Sequence, residues 1–242
     1  MSLISVMYHH AGSDLCSNDI EILNKHLEYI SKNFKAIFPG EEVTKNSICL
    51  TFDDGYADFY FLIFPLLKKY GLKATLAVPT KFILDDTKLS PKERMSFKHN
   101  DIFKNYQKAP FCTFKEMDEM IKSGLVKIAS HSHSHVVLSD ENINLDEELL
   151  LSKEILEKKL KIDVDSFFFP FGKYNKDVLK EAKKHYKYIF RIGNALQKDF
   201  EGINGVIYRV KGDGLKSFDE IFRGTKLFKY WFKGLIKRVF KR

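Results

Sequence analysis

Two adjacent carboxylates, Asp53 and Asp54, are the residues of this sequence most suited to chemistry. They follow an apolar run at 48–52 that is typical of a short buried strand. Because neighbouring strand residues point to opposite sides, we expect Asp53 and Asp54 to face different surroundings and to have different roles. Gly55 allows a sharp turn after them. The alternative is an ordinary acidic turn that closes a strand, since Asp-Gly is common in turns.

Three histidines in a short segment, His131, His133 and His135, are the second chemical feature. A spacing of four brings His131 and His135 to the same side of a helical turn or tight loop. In an extended segment all three rings would share one face. Catalytic zinc sites typically use three His, Asp or Glu ligands and keep one position for water, and Asp54 with two histidines would complete such a set. A His-rich surface turn or a structural zinc site are the alternatives.

The order of the motifs is informative. Thr-Phe-Asp-Asp-Gly at 51–55, His-Ser-x-x-His at 131–135 and Pro-Phe-Gly at 170–172 resemble the polysaccharide deacetylase family (carbohydrate esterase family 4) from the start of the chain to about residue 210. Tyr-His at 8–9 and Phe-x-Phe-Pro-Phe-Gly at 167–172 are similar to its permuted, poly-N-acetylglucosamine deacetylase-like branch. The resemblance implies a deformed (β/α) barrel, one divalent metal ion, most often zinc, and removal of acetyl groups from N-acetylated sugars.

The resemblance also assigns roles to individual residues. It implies that the metal ligands are Asp54, His131 and His135. It makes Asp53 the general base that takes a proton from the attacking water. An oxyanion would be stabilised by the metal and by the backbone N–H of Phe171, whose position Pro170 and Gly172 help to fix.

The sequence departs from the common family pattern at three positions. Phe168 stands where the family usually has an arginine, and Phe171 replaces a tyrosine. No histidine follows His185, so the late general acid of the family is absent. On the predicted last strand, Arg209 could replace the missing arginine as the partner of Asp53.

The general acid therefore has to come from elsewhere in the chain. The permuted branch implies His9, at the end of the first predicted strand, with His10 as the less favoured choice. A histidine with only a structural role in a strand is the other interpretation of His9. If no acid is present, the chain would be a catalytically weak or inactive deacetylase-like protein that binds glycans or acts as a scaffold.

Seven strands are predicted, and most of them alternate with helices. The strands cover 3–8, 48–52, 73–78, 126–129, 166–169, 187–191 and 206–210, and the helices cover 20–34, 58–70, 113–124, 145–160 and 176–184. This alternation predicts an α/β fold, a deformed (β/α)7 barrel with a mainly parallel sheet. His9, Asp53, Asp54, His131 and His135 all fall at strand ends, which share one face of such a barrel. The mixed stretch 80–112 is expected to form a loop or a small helical excursion near that face.

The C-terminal segment 226–242 carries most of the net charge of +8. It has seven basic and no acidic residues, which leaves a net charge of about +1 for residues 1–225. We take residues 1–225 as the barrel domain, and its nearly neutral charge does not suit binding to nucleic acid. An apolar stripe at helical spacing runs through Phe228, Trp231, Phe232, Leu235 and Val239, opposite a lysine-rich side. This amphipathic helix predicts contact with a membrane surface. Packing of the stripe on the barrel, or binding to a partner protein, are the alternatives.

Composition also bears on location. Three scattered cysteines favour a reducing compartment, and the N-terminal residues lack the features of a signal peptide. No run of about 18 apolar residues occurs. We expect a cytoplasmic protein, peripheral at the inner membrane face if the tail binds lipid. Its substrate would then be an N-acetylated glycan or a lipid-linked sugar of surface polysaccharide synthesis, with soluble nucleotide sugars and oligosaccharides as other options.

Overall fold

A closed barrel of parallel strands dominates the computed structural model, which describes residues 2–240. The strands are β1 (Ile4–Tyr8), β2 (His10–Ala11), β3 (Ser17–Asn18), β4 (Lys35–Ala36), β5 (Ser47–Phe52), β6 (Ala74–Val78), β7 (Val126–Ser130), β8 (Ser166–Phe168), β9 (Tyr188–Ile192) and β10 (Ile207–Lys211). Within these residues the barrel follows the order β1-β10-β9-β8-β7-β6-β5 and closes where β5 pairs with β1. The predicted seven-stranded parallel barrel is therefore confirmed. Strand β4 extends β5, while β2 and β3 form a separate pair.

Helices cover the outside of the barrel. They are α1 (Ile20–Asn33), α2 (Phe64–Tyr70), α3 (Pro91–Arg94), α4 (Phe114–Lys122), α5 (Ser152–Leu160), α6 (Lys176–His185) and α7 (Gly224–Phe240). Short 3-10 helical segments lie at Thr80–Phe82, Phe103–Lys108, Pro170–Gly172 and Glu220–Phe222, and π-helical turns lie at Phe59–Ile63 and Asp146–Leu151. The Asp19 carboxylate caps α1 by accepting from two backbone N–H groups, and Thr113 with Glu116 forms a capping box at the start of α4.

Side chains along the barrel strands alternate between the interior and the helix-covered outside. In β5, Ile48, Leu50 and Phe52 belong to the core beneath the helices, whereas Cys49 belongs to the smaller core inside the barrel. The same alternation turns Thr51 and then Asp53 inward. Both faces of the barrel strands are buried, which explains why they are continuous apolar runs in the sequence.

The C-terminal helix α7 docks on the segment between β9 and β10. Leu227 and Tyr230 pack against the core, and the carbonyl of Tyr230 accepts a hydrogen bond from Leu196 N–H at 3.1 Å. Gly234 is needed for the close approach, because a Cβ there would lie 2.2 Å from the Leu196 carbonyl oxygen. The predicted stripe instead points to solvent, so the alternative in which that stripe packs on the barrel is wrong.

Two residues of the predicted basic tail, at positions 241 and 242, lie outside the described residues. Among residues 2–240 no helix is both long and apolar enough to cross a membrane.

Candidate active site

The carboxyl ends of the barrel strands surround a cavity of about 330 Å³. The lining includes all the residues to which the sequence assigned catalytic or metal-binding roles and the proposed oxyanion residue: His9, Asp53, Asp54, His131, His135 and Phe171. Pro170 lies next to Phe171 in the turn after β8, and Arg209 lies beneath the cavity in β10. A larger cavity of about 520 Å³ borders Tyr188, at the opposite end of β9, and holds none of these residues. Chemistry is therefore concentrated in the smaller cavity.

Asp53 is held by Arg209 in a two-point ion pair. The Arg209 Nη1 and Nη2 atoms donate to Asp53 Oδ1 and Oδ2 at 2.6 and 2.8 Å, and Nη1 also donates to Thr51 Oγ1 at 3.1 Å. Both side chains point into the barrel, because residues two apart on a strand share a face. Asp53 lies two residues after inward-facing Thr51, and Arg209 lies two residues after inward-facing Ile207. The Arg209 guanidinium is fully buried and lies over the Phe168 ring, 4.7 Å from its centroid. Arg209 thus places a guanidinium beside Phe168, the position at which the family usually has an arginine.

The electrostatics of this pair keep Asp53 ionised. Burial raises the pKa of the Asp53 carboxyl, but the charge and hydrogen bonds of Arg209, together with His131 and His9, lower the pKa below its ordinary value. A buried carboxylate that stays charged at neutral pH can accept a proton, as a general base must.

Asp54 faces a different set of partners. Its Oδ1 lies 3.4 Å from His131 Nε2 and 3.1 Å from His135 Nε2. Burial raises the pKa of Asp54, but His135 and His131 lower it by more. The pKa of Asp54 is therefore well below its ordinary value. The left-handed backbone at Asp54, with φ of 68°, interrupts the strand alternation and lets this second carboxylate line the same cavity as Asp53.

These three residues can hold a metal ion. One ligand atom from each of Asp54, His131 and His135 lies within 4.8 Å of the other two. Asp54 Oδ1 is buried and has no hydrogen-bond partner, which is unfavourable unless a ligand compensates it. His131 Nδ1 is 2.8 Å from the Phe168 carbonyl, so Nδ1 carries the proton and Nε2 presents its lone pair to the cavity. The donor set and its hydrogen bonding therefore fit a divalent ion.

His133 lies apart from this group. Its Nδ1 atom is 2.9 Å from Thr80 Oγ1, outside the cavity. Left-handed backbone at Ser132 and His135, with φ of 68° and 54°, prevents the extended conformation in which all three histidines would share a face. Glu148 was not predicted as part of this region. Its buried carboxylate accepts hydrogen bonds from the backbone N–H groups of residues 133 and 134 and holds this turn.

His9 forms a dyad with Asp213, a residue that was not predicted from the sequence. His9 Nδ1 lies 2.8 Å from Asp213 Oδ2, and the His9 backbone N–H donates to Asp213 Oδ1 at 3.0 Å. Burial lowers the pKa of His9, but the hydrogen bond and charge of Asp213, together with the charges of Asp54 and Asp53, raise it to about 9. Asp213 lies two residues after β10, between two glycines, so the strand-end rule that selected Asp53 would also have found it.

His10 points into a separate environment. Its ring stacks on Tyr56 with centroids 4.3 Å apart, and its Nε2 atom is 3.1 Å from the Leu15 carbonyl. It lines a neighbouring cavity of about 170 Å³ together with Asp58. Of the two histidines that the sequence offered as general acid, the structure brings only His9 to the cavity that contains Asp53.

Aromatic rings flank the candidate metal ligand His135. Phe103 stacks on one side with ring centroids 4.6 Å apart, and Phe171 lies at 4.8 Å. Phe103 and the cavity-lining His99 both belong to the 80–112 stretch, which was expected near the site without naming either residue. Phe171 itself adopts a left-handed backbone with φ of 56°, between Pro170 and the turn that follows.

The sequence is similar to those of known bacterial proteins. YxkH of Bacillus subtilis (strain 168) is 27% identical over 194 residues, which cover 74% of this chain and 60% of YxkH. A poly-beta-1,6-N-acetyl-D-glucosamine N-deacetylase of Staphylococcus aureus (strain MRSA252) is 27% identical over 180 residues, 70% of this chain and 53% of that protein. The chain therefore spans between about half and 60% of the length of these relatives.

A solved structure shares the fold. The deacetylase PplD of Streptococcus pyogenes, solved in complex with acetate, superposes with a TM-score of 0.72 over 92% of this chain and 97% of PplD, at 22% identity. The sequence also matches the family described as polysaccharide deacetylase over residues 40–189, a span that contains both carboxylates, the histidine turn and the proline turn. This match covers more than half of the chain, and the chain forms the barrel expected for that family. The chain therefore belongs to the polysaccharide deacetylase family.

Proposed function

We propose that this protein is a metal-dependent hydrolase that removes the acetyl group from an N-acetylated sugar of a glycan. One observation carries the proposal: a three-residue metal set, an ionised carboxylate and a protonated histidine surround one cavity. The family and the S. aureus relative support the same reaction class.

The bound ion is zinc in our proposal, held by Asp54, His131 and His135, and it would polarise the acetyl carbonyl and make water a better nucleophile at neutral pH. Asp53 accepts the proton of the attacking water as the new C–O bond forms. Arg209 keeps Asp53 ionised and fixes its orientation, because it holds both carboxylate oxygens. This two-point contact makes Arg209 a positioning residue.

His9 supplies the second proton transfer. An amine is a poor leaving group unless its nitrogen is protonated as the C–N bond breaks. The Asp213 carboxylate orients the His9 ring through Nδ1 and keeps it protonated, so that Nε2–H is the available donor. The products are acetate and a free sugar amine, and Phe171 borders the cavity where the acetyl group would bind.

Metal content and amide hydrolysis in matched variants test the proposal. The purified full chain should carry about one divalent ion and release acetate from N-acetylglucosamine oligomers, measured by elemental analysis and by free-amine labelling. Asp53→Asn should keep the ion and lose a factor of ~10²–10⁴ in rate, the usual cost of a missing general base. His131→Ala should lose both ion and activity, whereas His133→Ala, outside the ligand group, should keep both.

Two results would contradict the proposal. Full metal occupancy in His131→Ala would remove the ligand assignment, and unchanged activity in Asp53→Asn would remove the base. A wild-type protein that binds ion and oligosaccharide but releases no acetate would instead support the alternative of a glycan-binding protein.

A further inference from the structure

One face of α7 exposes large apolar side chains. The residues, each between 38% and 80% exposed, are Phe228, Trp231, Phe232, Leu235, Ile236, Val239 and Phe240. We call this set the α7 apolar face. Monomeric proteins rarely expose a contiguous apolar patch of this kind unless something binds it.

The barrel holds α7 with this face turned outward. Leu227 and Tyr230 pack on the core from the opposite side, and Gly234 lies directly against the Leu196 carbonyl. The helix is therefore formed before any partner arrives. A binding event at the apolar face would not have to pay the ordering cost of a segment that folds on binding.

Positive charge surrounds the apolar face. At 100° per residue, Lys229 and Lys233 lie along one edge of it and Arg238 along the other, and all three are exposed. No acidic residue follows Glu220 in the sequence. The surface therefore combines aromatic and aliphatic side chains, including the only tryptophan of the chain, with a purely cationic border.

We infer that the α7 apolar face binds the surface of an anionic phospholipid bilayer. Lysine and arginine beside aromatic residues are typical of helices that lie in the membrane interface, where apolar side chains enter the acyl boundary and cations meet phosphate headgroups. A second copy of the chain fits less well. Symmetric pairing of two such faces would oppose their cationic borders, and α7 has no carboxylate between Gly224 and Phe240 to compensate. The inference does not depend on the chemistry of the cavity.

Trp231 provides a direct measurement, because its fluorescence reports on α7 alone. The full-length protein is mixed with vesicles of phosphatidylcholine, with or without phosphatidylglycerol. We expect a blue shift and quenching by brominated acyl chains with the anionic vesicles, and weaker binding as salt rises, since the Debye length is about 8–10 Å at physiological ionic strength.

Two double variants separate charge from apolar contact. Lys229→Glu with Lys233→Glu should weaken partitioning at least ~10-fold, because each charge near an anionic surface contributes about 1 kcal/mol. Phe228→Ser with Phe232→Ser should weaken it to a similar extent and abolish the quenching. The matched control, Lys45→Glu with Lys158→Glu, makes the same charge change at exposed positions away from α7 and should keep more of the binding.

All of these variants should melt at the wild-type temperature, because the substituted side chains are exposed. Thermal melting of each variant is the control for folding. Equal losses in the control and in the α7 charge variant would overturn the inference. So would a Trp231 blue shift that depends on protein concentration without lipid, together with dimer-sized light scattering, since that would identify a second copy as the occupant.

Discussion

Replacing Asp213 by asparagine should shift the titration of His9. The Asp213 carboxylate accepts from both the His9 backbone N–H and its ring, at 3.0 and 2.8 Å. An asparagine side chain has only one oxygen, so if that oxygen keeps the backbone hydrogen bond, its NH₂ group faces His9 Nδ1. The ring must then be neutral, with Nδ1 as acceptor. The variant removes both the charge and the hydrogen bond that hold the proton on His9.

The magnitude follows from the two pKa values. His9 has a pKa of about 9 in the folded protein, against 6.5 ordinarily, a difference of 2.5 units. Without Asp213, burial is opposed only by the charges of Asp54 and Asp53, and we expect the His9 pKa to return to about 6.5. The protonated fraction at pH 7 then falls from about 99% to about 25%, and the ratio of wild type to variant grows from about fourfold at pH 7 to about 30-fold at pH 8.

The assay is the pH dependence of amide hydrolysis. Activity that requires protonated His9 falls as pH rises through its pKa, so the alkaline limb of the profile should move to lower pH by about 2.5 units in Asp213→Asn. Asp213→Glu keeps the charge and should leave the limb near its wild-type position. An unchanged alkaline limb in Asp213→Asn would show that His9 does not supply the proton.

Stability gives an independent measurement of the same pair. Because the folded pKa of His9 lies above its ordinary value, the contribution to stability is fully present below pH 6.5 and is lost as pH rises through about 9. The 2.5-unit shift corresponds to about 3 kcal/mol. Urea unfolding of chelator-treated protein should therefore show a gap between wild type and Asp213→Asn that is largest at pH 6 and narrows toward pH 9.

Two further predictions use neighbouring residues as controls. His9→Ala should slow hydrolysis of an N-acetyl amide much more than hydrolysis of an aryl acetate, because the aryl-oxide leaving group needs no proton. The control variant His10→Ala should affect neither rate greatly. Equal losses on both substrates in His9→Ala would indicate that His9 has only a structural role. Arg209→Met leaves Asp53 buried without its partner and should lower the unfolding free energy by about 3–5 kcal/mol at neutral pH. This loss should become smaller at acid pH, where Asp53 is protonated. Asp53→Asn combined with Arg209→Met should recover part of the loss, and strict additivity of the two changes would refute the coupling.

The barrel could be predicted almost completely from the sequence. Each of the seven barrel strands begins and ends within one residue of its predicted bounds, because strands buried on both faces appear as apolar runs bounded by turn residues. The short strands β2, β3 and β4 were missed, since two residues cannot show a periodicity. The π-helical turns Phe59–Ile63 and Asp146–Leu151 were also missed, because their side-chain pattern is that of an ordinary helix.

The site was only partly predictable. Asp53, Asp54, His131 and His135 stand in motifs whose spacing carries information, and the alternation of β5 explains where Asp53 points. The left-handed backbone that brings Asp54 and His135 to the same cavity could not be predicted from that alternation. Glu148 could not have been found, because a glutamate near the start of a helix looks like a solvent-exposed charge until the turn that it holds is seen in space.

Charge compensation distinguishes the two carboxylates at the centre of the cavity. Asp53 is neutralised by Arg209, and Asp213 is neutralised by protonated His9. Asp54 has only imidazole partners, which must be neutral to act as metal ligands. One negative charge is therefore left uncompensated, at the buried oxygen that also lacks a hydrogen bond. A cation at Asp54 would remove both costs, which is a physical reason, independent of family resemblance, for assigning the metal to the second carboxylate and the proton transfer to the first.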